Sequence, residues 1–413
     1  MGSKNRVIRG WKRGLLAAIL VIGLSLGGLF AGTSIWPSLG SQGAQVLRQI
    51  FGNPFVAELE MFVFGVQDTV KSWEYDLGLA EPAAPWVAPE GDAAPFIQTP
   101  TPSRVRTSST AIVKPLESEN TPTPSTPTFT PTPEVLAWPP KPMTPLGTID
   151  GEGVWSAYID DVAYRAFLQP DPERPYSVVA VIAIDLTRVQ LHYVLGSIEP
   201  KFADETVQAE RSGRIPDEDR IPGNLLAAFN GGFQAQHGNF GAMSGGVVAI
   251  PLQEGLGMVA IREDGAVFMG EWGVDITAAD DLIAWRQNGP LVVQAGALTP
   301  HVFSFSPKDW GYTINDVSPT WRSGLALNAA RQILFYVAGP SLTVEALGKS
   351  MLAAGANFGM QLDINPYWVH FTPFVVEDGI LVPDPLFPDS MNENIDRYLN
   401  TYSHDYFYIT VKE

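Results

Sequence analysis

The feature that most limits how this chain can fold is a stretch rich in Pro and Thr over residues 80–146, which contains the near-repeat "TPTPSTPTFTPTP". Such a composition buries too little apolar surface to fold and favours polyproline II. We expect a disordered linker that serves as a stalk, with a reach of at most roughly 200 Å at ~3.1 Å per residue. The folded domain must therefore lie in residues 147–413.

The N-terminus predicts a membrane anchor. Residues 1–14 carry five positive charges and no acid, and an unbroken apolar run follows from Leu15 to Trp36. A helix of this length covers roughly 33 Å, enough for a hydrocarbon core of ~30 Å. Basic residues on the leading side place residues 1–14 in the cytoplasm and the main domain outside it, as a single-pass membrane protein. A cleaved signal peptide is the alternative.

Residues 41–79 are predicted to form an amphipathic helical segment outside the membrane, because apolar residues such as Val56, Leu59 and Phe62 recur at three- and four-residue steps. Pro54 suits the first turn of that helix. The apolar stripe has three possible partners: the membrane surface, a second copy of the chain, or the main domain. The sequence does not choose among them, and it leaves the oligomeric state open.

Charge and cysteine content exclude several functions. The formal net charge is −18, and the five N-terminal cations leave −23 on the remainder, which argues against nucleic acid as a partner. The chain has no cysteine, so disulfides, thiolate catalysis and cysteine zinc sites are impossible. An extracytoplasmic protein without cysteine favours a bacterial source.

The domain over residues 147–413 is predicted to be α+β, with a mixed, largely antiparallel sheet and a few packed helices, because strand-like runs outnumber helical ones. The two predicted helices are "TAADDLIAWRQ" and "LTVEALGKSMLAAG", the latter ending at Gly355 in a left-handed conformation. The nine predicted strands cover residues 177–186, 189–196, 224–230, 257–263, 290–296, 323–328, 332–339, 359–364 and 404–411.

One glycine-rich segment at the end of a predicted strand is the first candidate site. "AAFNGGF" is followed closely by "HGNFGAMSGGVV", so Asn230, Gly231 and Gly232 break an apolar strand, and His237 and Asn239 lie on the same loop. Glycines tolerate positive φ and let a ligand approach the main chain. An amide side chain and several N–H groups at one point suit a sugar hydroxyl or a phosphate oxygen. A plain glycine-rich turn is the alternative.

Three further strand ends carry polar groups. Arg322 precedes the strand "SGLALN", where a guanidinium could bind an oxyanion in bidentate fashion. Asp363 closes an apolar strand, Asn365 follows it, and Asn288 breaks the chain before "PLVVQ". Each of these could equally be structural. The sequence contains no GxSxG, Walker or HExxH motif, and its histidines lack metal-ligand spacing, so neither a metal nor a cofactor is expected.

Four of these blocks occur in an order that resembles the phosphodiester glycosidase family, typified by the enzyme that uncovers mannose phosphate by removing N-acetylglucosamine. The blocks are "AAFNGGF" with "HGNFGAMSGGVV", "NGPLVVQAG", "WRSGLALN", and "SLTVEALGKSMLAAGA" leading into "GMQLDIN". The resemblance implies a mixed α/β fold with its site at the strand ends. By this resemblance, the family's motif positions are occupied here by Asn230, Gly231, Gly232, Arg322 and Asp363.

The expected activity is hydrolysis of the glycosidic bond of a sugar-1-phosphodiester, with a cell-surface polymer as a possible substrate. The departing phosphate monoester is a stable anion, so catalysis depends mainly on binding the phosphate and stabilising an oxocarbenium-like transition state. We assign Arg322 and the main-chain amides at 230–232 to the phosphate, Asp363 to the anomeric carbon as nucleophile or base, and His237 to a phosphate oxygen or water.

The last block departs from the family pattern, which commonly reads Asp-Gly-Gly followed by Ser. Here Ile364 and Asn365 replace the two glycines. This departure favours a second hypothesis, a module that binds cell-wall glycan or teichoic-acid-type polymer without cleaving it. A third is a structural protein whose segment 41–79 self-associates.

Overall fold

The computed structural model describes residues 37–84, 86, 136–204, 206, 211–304, 310 and 318–412. Within these ranges the chain forms three α-helices and three β-sheets. The predicted basic tail 1–14, the predicted anchor 15–36 and most of the predicted linker 80–146 lie outside the described residues.

The largest sheet has eight strands, and a long antiparallel hairpin lies at its centre. In spatial order its strands are β1 Ser156–Ile159, β2 Ala163–Leu168, β3 Val179–Asp185, β14 Ile333–Leu342, β13 Thr320–Leu327, β15 Phe358–Gln361, β11 Leu291–Gln294 and β12 Ala297–Leu298.

Two five-stranded sheets complete the domain. The first contains β7 Val247–Ile250, β6 Ala242–Ser244, β10 Leu282–Gln287, β8 Gly257–Arg262 and β9 Val267–Glu271. The second contains β17 Ile380–Pro383, β16 Phe371–Glu377, β5 Leu225–Asn230, β18 Tyr406–Val411 and β4 Val189–Val194.

The strand pairing is antiparallel throughout the described ladders, and the one parallel contact is the isolated bridge between Trp272 and Ile276. The expectation of largely antiparallel pairing is therefore confirmed, whereas three sheets replace the single mixed sheet. Each of the nine predicted strands overlaps an observed strand, since each is an apolar run bounded by turn residues.

The predicted helix over residues 277–287 is wrong. Its second half is β10, which pairs with β8 on one side and β6 on the other. Ala284 and Arg286 are buried while Ile283 is exposed and Trp285 is half-buried, so the residues alternate between two faces with the period of a strand. Pairing on both edges outweighs the helical propensity of the segment.

All three sheets contribute to one hydrophobic core. At its centre Phe229 of β5 stacks on Phe371 of β16, with 5.7 Å between ring centroids, and on Phe407 of β18, with 5.5 Å. Aromatic pairs at such distances add to the stabilisation from buried area. The packing fixes β5, and hence the position of Asn230 at its end.

Two helices precede the domain: α1, Pro37–Phe51, and α2, Asn53–Asp76, with a break at Gly52, whose φ is 82°. We call them together the N-terminal helical pair. Asp68 of α2 pairs with Arg174 of the domain at 3.0 Å, and the Lys71 ammonium donates to the Ser341 hydroxyl at 3.3 Å. One face of the pair therefore docks on the main domain. Of the helices in the described residues, none is long and apolar enough to cross a membrane.

The third helix, α3, Val344–Ala354, lies after β14. The Thr343 side chain accepts a hydrogen bond from the backbone N–H of Ala346, which caps the start of the helix. Gly355 ends it with a φ of 94°, the left-handed conformation expected from the sequence.

The ends of the predicted linker pack on the same strand of the domain. Trp86 contacts Phe167 of β2 with 6.3 Å between ring centroids, and Trp138 contacts Tyr164 of β2 with 5.5 Å. The compact unit of the domain accordingly includes Trp86 and resumes at Ala137. The disordered linker predicted between these two ends stays a prediction.

Candidate functional site

A small cleft lies where the loop after β5 and the segment after β15 meet the N-terminal helical pair. Its volume is about 40 Å³. The domain lines it with Phe233, Gln234, His237, Asp363, Ile364, Asn365 and Trp368, and the helical pair lines it with Ser41, Gln45, Arg48, Glu60 and Phe64. The cleft thus brings together three of the predicted site residues, Asp363, His237 and Asn365.

Asp363 is the most perturbed acid of the cleft. Its side chain lies just beyond the end of β15, and its Oδ1 accepts hydrogen bonds from the backbone N–H groups of Ile364 at 2.7 Å and Asn365 at 2.9 Å. Burial raises the pKa of Asp363 to about 7, although those two N–H groups lower it. The nearby Asp405 raises the pKa further and Arg286 lowers it. A carboxyl group that titrates near neutrality can take up or release a proton during a reaction.

His237 faces the same cleft from the end of a 3₁₀ turn at 235–237. Its ring packs edge-on against Phe233, and its Nε2 is buried without a hydrogen-bond partner among the described residues. Burial lowers the pKa of His237 to about 4, and repulsion from the Arg48 charge, and from His404 when that ring is protonated, lowers it further. The imidazole is therefore neutral at physiological pH, with one ring nitrogen available to a ligand.

The helical pair places an ion pair in the cleft. Nη2 of Arg48 donates to Oε1 of Glu60 at 2.6 Å and to Oε2 at 2.8 Å, and both side chains are largely buried. Burial raises the pKa of Glu60, and the Arg48 charge opposes that shift. Nε of Arg48 is buried without a hydrogen-bond partner among the described residues. A guanidinium with a spare donor beside Asp363 and His237 is a group that can bind an oxyanion.

Asn230 does not present its amide to the cleft. Its Nδ2 donates to the Gly231 carbonyl and to the Ser323 hydroxyl, at 2.9 and 3.0 Å. Its Oδ1 accepts from the Tyr336 hydroxyl at 2.8 Å and from the backbone N–H of His370 at 3.2 Å. All four hydrogen bonds are internal, so the buried Asn230 side chain links the end of β5 to β13, to β14 and to the start of β16.

Gly231 and Gly232 are explained by close packing. Neither has a positive φ. A Cβ on Gly231 would lie 2.2 Å from Oδ2 of Asp405, and one on Gly232 would lie 2.7 Å from Oδ1 of Asn288. Their N–H groups donate to Asp405, at 3.0 Å to its carbonyl and 3.2 Å to its carboxylate. The amides assigned to a phosphate are engaged inside the protein.

The structure does not bring Arg322 to the cleft. Its guanidinium is fully buried, with Nε donating to the Leu342 carbonyl at 2.8 Å, Nη1 to the Gln361 side chain at 2.6 Å and Nη2 to the Ser318 carbonyl at 3.0 Å. Its neighbour Ser323 donates to the Asp363 carbonyl at 2.7 Å. Successive side chains of a strand point to opposite faces, so Arg322 lies on the face away from that contact.

The remaining predicted amides have different surroundings. Asn288 is buried and ties the loop to the strand, since its Nδ2 donates to the Gln361 and Leu362 carbonyls and its Oδ1 accepts from the backbone N–H of Phe233. Asn239 is exposed, with a φ of 50°, and does not line the cleft.

Among the cleft residues that were not predicted, Trp368 and Gln234 are contributed by the domain. Trp368 stacks on His404, with 3.7 Å between ring centroids, and Nε2 of Gln234 is 2.8 Å from Nε2 of His404. Burial lowers the pKa of His404 to about 4. An aromatic face beside polar groups suits a sugar ring. Both residues lie in or next to the motifs, in "QLDINPYWVHF" and "AAFNGGFQAQH", but no local signal distinguishes them from their neighbours.

A buried ion pair contacts the loop that follows β5. Nε of Arg286 donates to Oδ2 of Asp405 at 2.8 Å, and neither side chain is exposed beyond 1%. Asp405 also accepts from the Tyr193 hydroxyl at 2.9 Å, while Arg286 donates to the carbonyls of Phe233, Phe240 and Gln287. With these hydrogen bonds in place, the pair holds the backbone at 231–233 in position.

No group of His, Asp and Glu residues within the described part of the chain is arranged to hold a metal ion. The expectation that the site needs neither metal nor cofactor stays a prediction.

Comparison with known proteins gives distant similarities of structure only. No protein-family model matches the sequence, and no curated protein matches it. The catalytic domain of zebrafish N-acetylglucosamine-1-phosphodiester alpha-N-acetylglucosaminidase, described as auto-inhibited by its pro-peptide, is similar with a TM-score of 0.39 and 11% identity, over 66% of this chain and 87% of that one.

Two further solved structures are similar, both at 11% identity. A hypothetical protein from Synechocystis has a TM-score of 0.33, over 61% of this chain and 63% of that one. A putative exported protein from Burkholderia pseudomallei has a TM-score of 0.27, over 57% and 74%. Since all three TM-scores lie below 0.5, any function must be inferred from the sequence motifs and the geometry of the cleft.

Proposed function

We propose that the chain is a hydrolase that cleaves the glycosidic bond of a sugar-1-phosphodiester, with Asp363 as its central acidic group. The observation that supports this most is the convergence of three groups in one cleft: a carboxyl group with a pKa of about 7, the neutral imidazole of His237 and the guanidinium of Arg48. The order of the four sequence blocks supports the same activity.

In the proposed reaction the ionised Asp363 takes a proton from a water molecule, whose oxygen forms a bond to the anomeric carbon. The bond between that carbon and the phosphate oxygen breaks, and the electron pair leaves with the phosphate monoester. The products are the free sugar and the monoester anion, and the proton on Asp363 returns to solvent. Because the leaving group is already a stable anion, no acid has to protonate it.

Arg48 replaces Arg322 as the proposed cation for the phosphate. Arg322 is held by internal oxygen atoms, whereas Arg48 lines the cleft and keeps Nε without a partner among the described residues. His237 contributes a hydrogen bond through its unpartnered Nε2, and Trp368 contributes an apolar face for the sugar. Asn365, at the rim of the cleft, remains a proposed contact to substrate hydroxyls.

The proposal requires the N-terminal helical pair to move. A volume of about 40 Å³ holds one or a few water molecules, not a sugar ring. The pair is incompletely packed beside the cleft, where an apolar cavity of about 120 Å³ separates residues such as Leu47 and Val63 from Pro366. We propose that substrate enters when α1 and α2 shift outward and widen the cleft, with Arg48 still at its edge, where it contacts the phosphate.

We also propose that residues 15–36 anchor the protein in a membrane, with the hydrolase domain on the extracytoplasmic side and a cell-surface polymer as its substrate. The cluster of five cations before an apolar run of membrane-spanning length supports this topology.

The test is incubation of the full-length chain with a panel of sugar-1-phosphodiesters, followed by measurement of free sugar and phosphate monoester. We expect kcat/KM to rise with pH with a midpoint near 7, because the ionised carboxylate is the active form. Asp363→Asn should reduce turnover by about 10²- to 10⁴-fold. Asp378→Asn, at an exposed turn, is the matched control and should leave turnover unchanged. Wild-type turnover by Asp363→Asn contradicts the assignment.

The second candidate is a module that binds surface glycans without cleaving them. It is favoured by Ile364, whose buried side chain fills the position where family members have a glycine. This candidate predicts binding to cell-wall polymer that is weakened by Trp368→Ala and unaffected by Asp363→Asn, with no product after prolonged incubation.

A further inference from the structure

The N-terminal helical pair has apolar side chains on more than one side, whereas a helix on the surface of a globular protein in water normally has a single apolar stripe. Its charged residues Arg48, Glu60, Asp68 and Lys71 lie on the side that contacts the domain or the cleft, and they are half-buried there. Large apolar side chains lie on the other side. Val56 is buried and Phe64 packs on the domain, so the inward stripe that a surface helix needs is already present and the exposed apolar side chains are additional to it.

The outward side carries a set of exposed apolar side chains, which we call the outer face. It consists of Ile50, Phe51, Phe55, Phe62, Val66 and Trp73, whose exposed fractions run from 37% to 65%. On α2 these side chains recur at intervals of seven and four residues, so they lie in one line along the helix. Large exposed apolar side chains aligned in this way mark an interaction site rather than scattered surface residues.

The position of this face in the chain indicates what covers it. The first residue of α1, Pro37, directly follows Trp36, the last residue of the apolar run proposed to span the membrane. A chain that emerges from the bilayer at residue 36 has no spacer before α1. α1 must therefore begin at the lipid surface, and α2 follows it after a single residue, so both helices can lie along that surface, where apolar side chains are buried among the headgroups and acyl chains.

We propose that the outer face of α1 and α2 lies in the surface of the membrane and holds the domain directly against it. The helical pair then has lipid on one side and the cleft on the other. The proposal rests on the membrane anchor proposed above and is independent of the hydrolase activity.

The net charge of the chain indicates which force holds the outer face to the membrane. Apart from the five N-terminal cations the chain carries −23, and Glu58 is exposed on the outward side of α2. Electrostatic attraction to anionic lipid therefore does not contribute, and the contact is apolar. Insertion is expected in vesicles of zwitterionic phosphatidylcholine and should be insensitive to 1 M salt, which screens charges beyond about 3 Å.

The chain has no cysteine, so single-cysteine variants can be labelled at one site only. Phe62→Cys and Trp73→Cys place an environment-sensitive fluorophore on the outer face, and Ile380→Cys places it on β17, where the side chain is 65% exposed and distant in sequence from the helical pair. The full-length labelled chain is reconstituted into phosphatidylcholine vesicles with and without doxyl-labelled phosphatidylcholine.

The expected result is a blue-shifted emission at positions 62 and 73 with severalfold stronger quenching by the doxyl lipid than at position 380. Equal, weak quenching at all three positions while the chain still floats with the vesicles overturns the proposal alone. A chain that does not float with vesicles overturns both the proposal and the anchor. A blue shift without lipid quenching, accompanied by disulfide cross-linking between unlabelled copies of the Phe62→Cys variant, assigns the outer face to a second copy and also overturns the proposal.

Discussion

Replacing Asp363 by asparagine should stabilise the protein above neutral pH and leave its stability unchanged in acid. The carboxyl group has an ordinary pKa of 3.8 in an unfolded chain, and burial raises that pKa to about 7 in the folded protein. The folded state therefore binds the proton more tightly than the unfolded state does. Below pH 4 the group is protonated in both states, so the free energy of unfolding carries no cost from it.

The free energy of unfolding falls as the pH rises from about 4 to 7, because Asp363 ionises in the unfolded chain before it ionises in the folded protein. Above pH 7 the group is ionised in both states and the loss reaches its full value. At 1.36 kcal/mol for each pH unit between the two pKa values, keeping the ionised carboxylate in the fold costs up to about 4 kcal/mol. An asparagine has no charge to bury, and its oxygen can still accept the N–H groups of Ile364 and Asn365. The variant should thus gain up to that amount at pH 8.

Urea unfolding of both proteins from pH 4 to pH 8 measures this difference. Acids such as Glu60 and Glu199, whose pKa values burial also raises, are present in both proteins and cancel in the comparison. Asp378→Asn serves as the control, since that side chain is exposed. A difference between wild type and Asp363→Asn that is independent of pH, or a loss of stability at pH 8, refutes the argument.

Three further predictions concern the support of the cleft. Gly231→Ala should destabilise the protein by about 1–3 kcal/mol in urea unfolding, because its Cβ would lie 2.2 Å from the Asp405 carboxylate, whereas Gly65→Ala, in open space on α2, should stabilise it by up to about 1 kcal/mol. Arg286→Ala should cost about 3–5 kcal/mol in the same assay because it leaves Asp405 buried without its cation, and Arg286→Met combined with Asp405→Leu should cost much less. Asp68→Ala with Lys71→Ala should raise the rate of sugar release by loosening the N-terminal helical pair, while Glu58→Ala, at an exposed site, should not.

Local patterns predicted nine of the eighteen strands in the described residues, and the helix α3, because their signals are short-range. Apolar runs bounded by turn residues locate the nine strands, and Gly355 locates the end of α3. The segment 277–287 was misread because an amphipathic pattern of eleven residues is compatible with a helix until neighbours are known. The segment becomes a strand because it pairs with β6 and β8, and this pairing cannot be read from the sequence of the segment itself.

The site was predicted in part for the same reason. The motifs suggested Asp363 and His237, and both line one cleft, since Asp363 lies two residues after β15 and His237 lies on the loop that follows β5. They also suggested Arg322, but which face of a strand a side chain occupies depends on the register, and β13 turns Arg322 away from the contact that Ser323 makes with Asp363. Arg48 had no motif, because its role arises from the docking of a helix from the far end of the chain.

Ile364, which stands where the phosphodiester glycosidase pattern commonly has a glycine, also belongs to the apolar cluster on which the N-terminal helical pair packs. A glycine at this position would leave the main chain beside Asp363 accessible, whereas Ile364 is buried in an apolar cluster with Phe233 and Phe240, against which Phe64 of α2 packs. The replacement therefore provides a hydrophobic seat for the N-terminal helical pair at the edge of the cleft. The same side chain that narrows access to Asp363 also stabilises the segment that covers it. An isoleucine here is consistent with a cleft that is closed by its own chain, and it does not by itself remove the carboxyl group, the imidazole or the guanidinium on which the proposed chemistry depends.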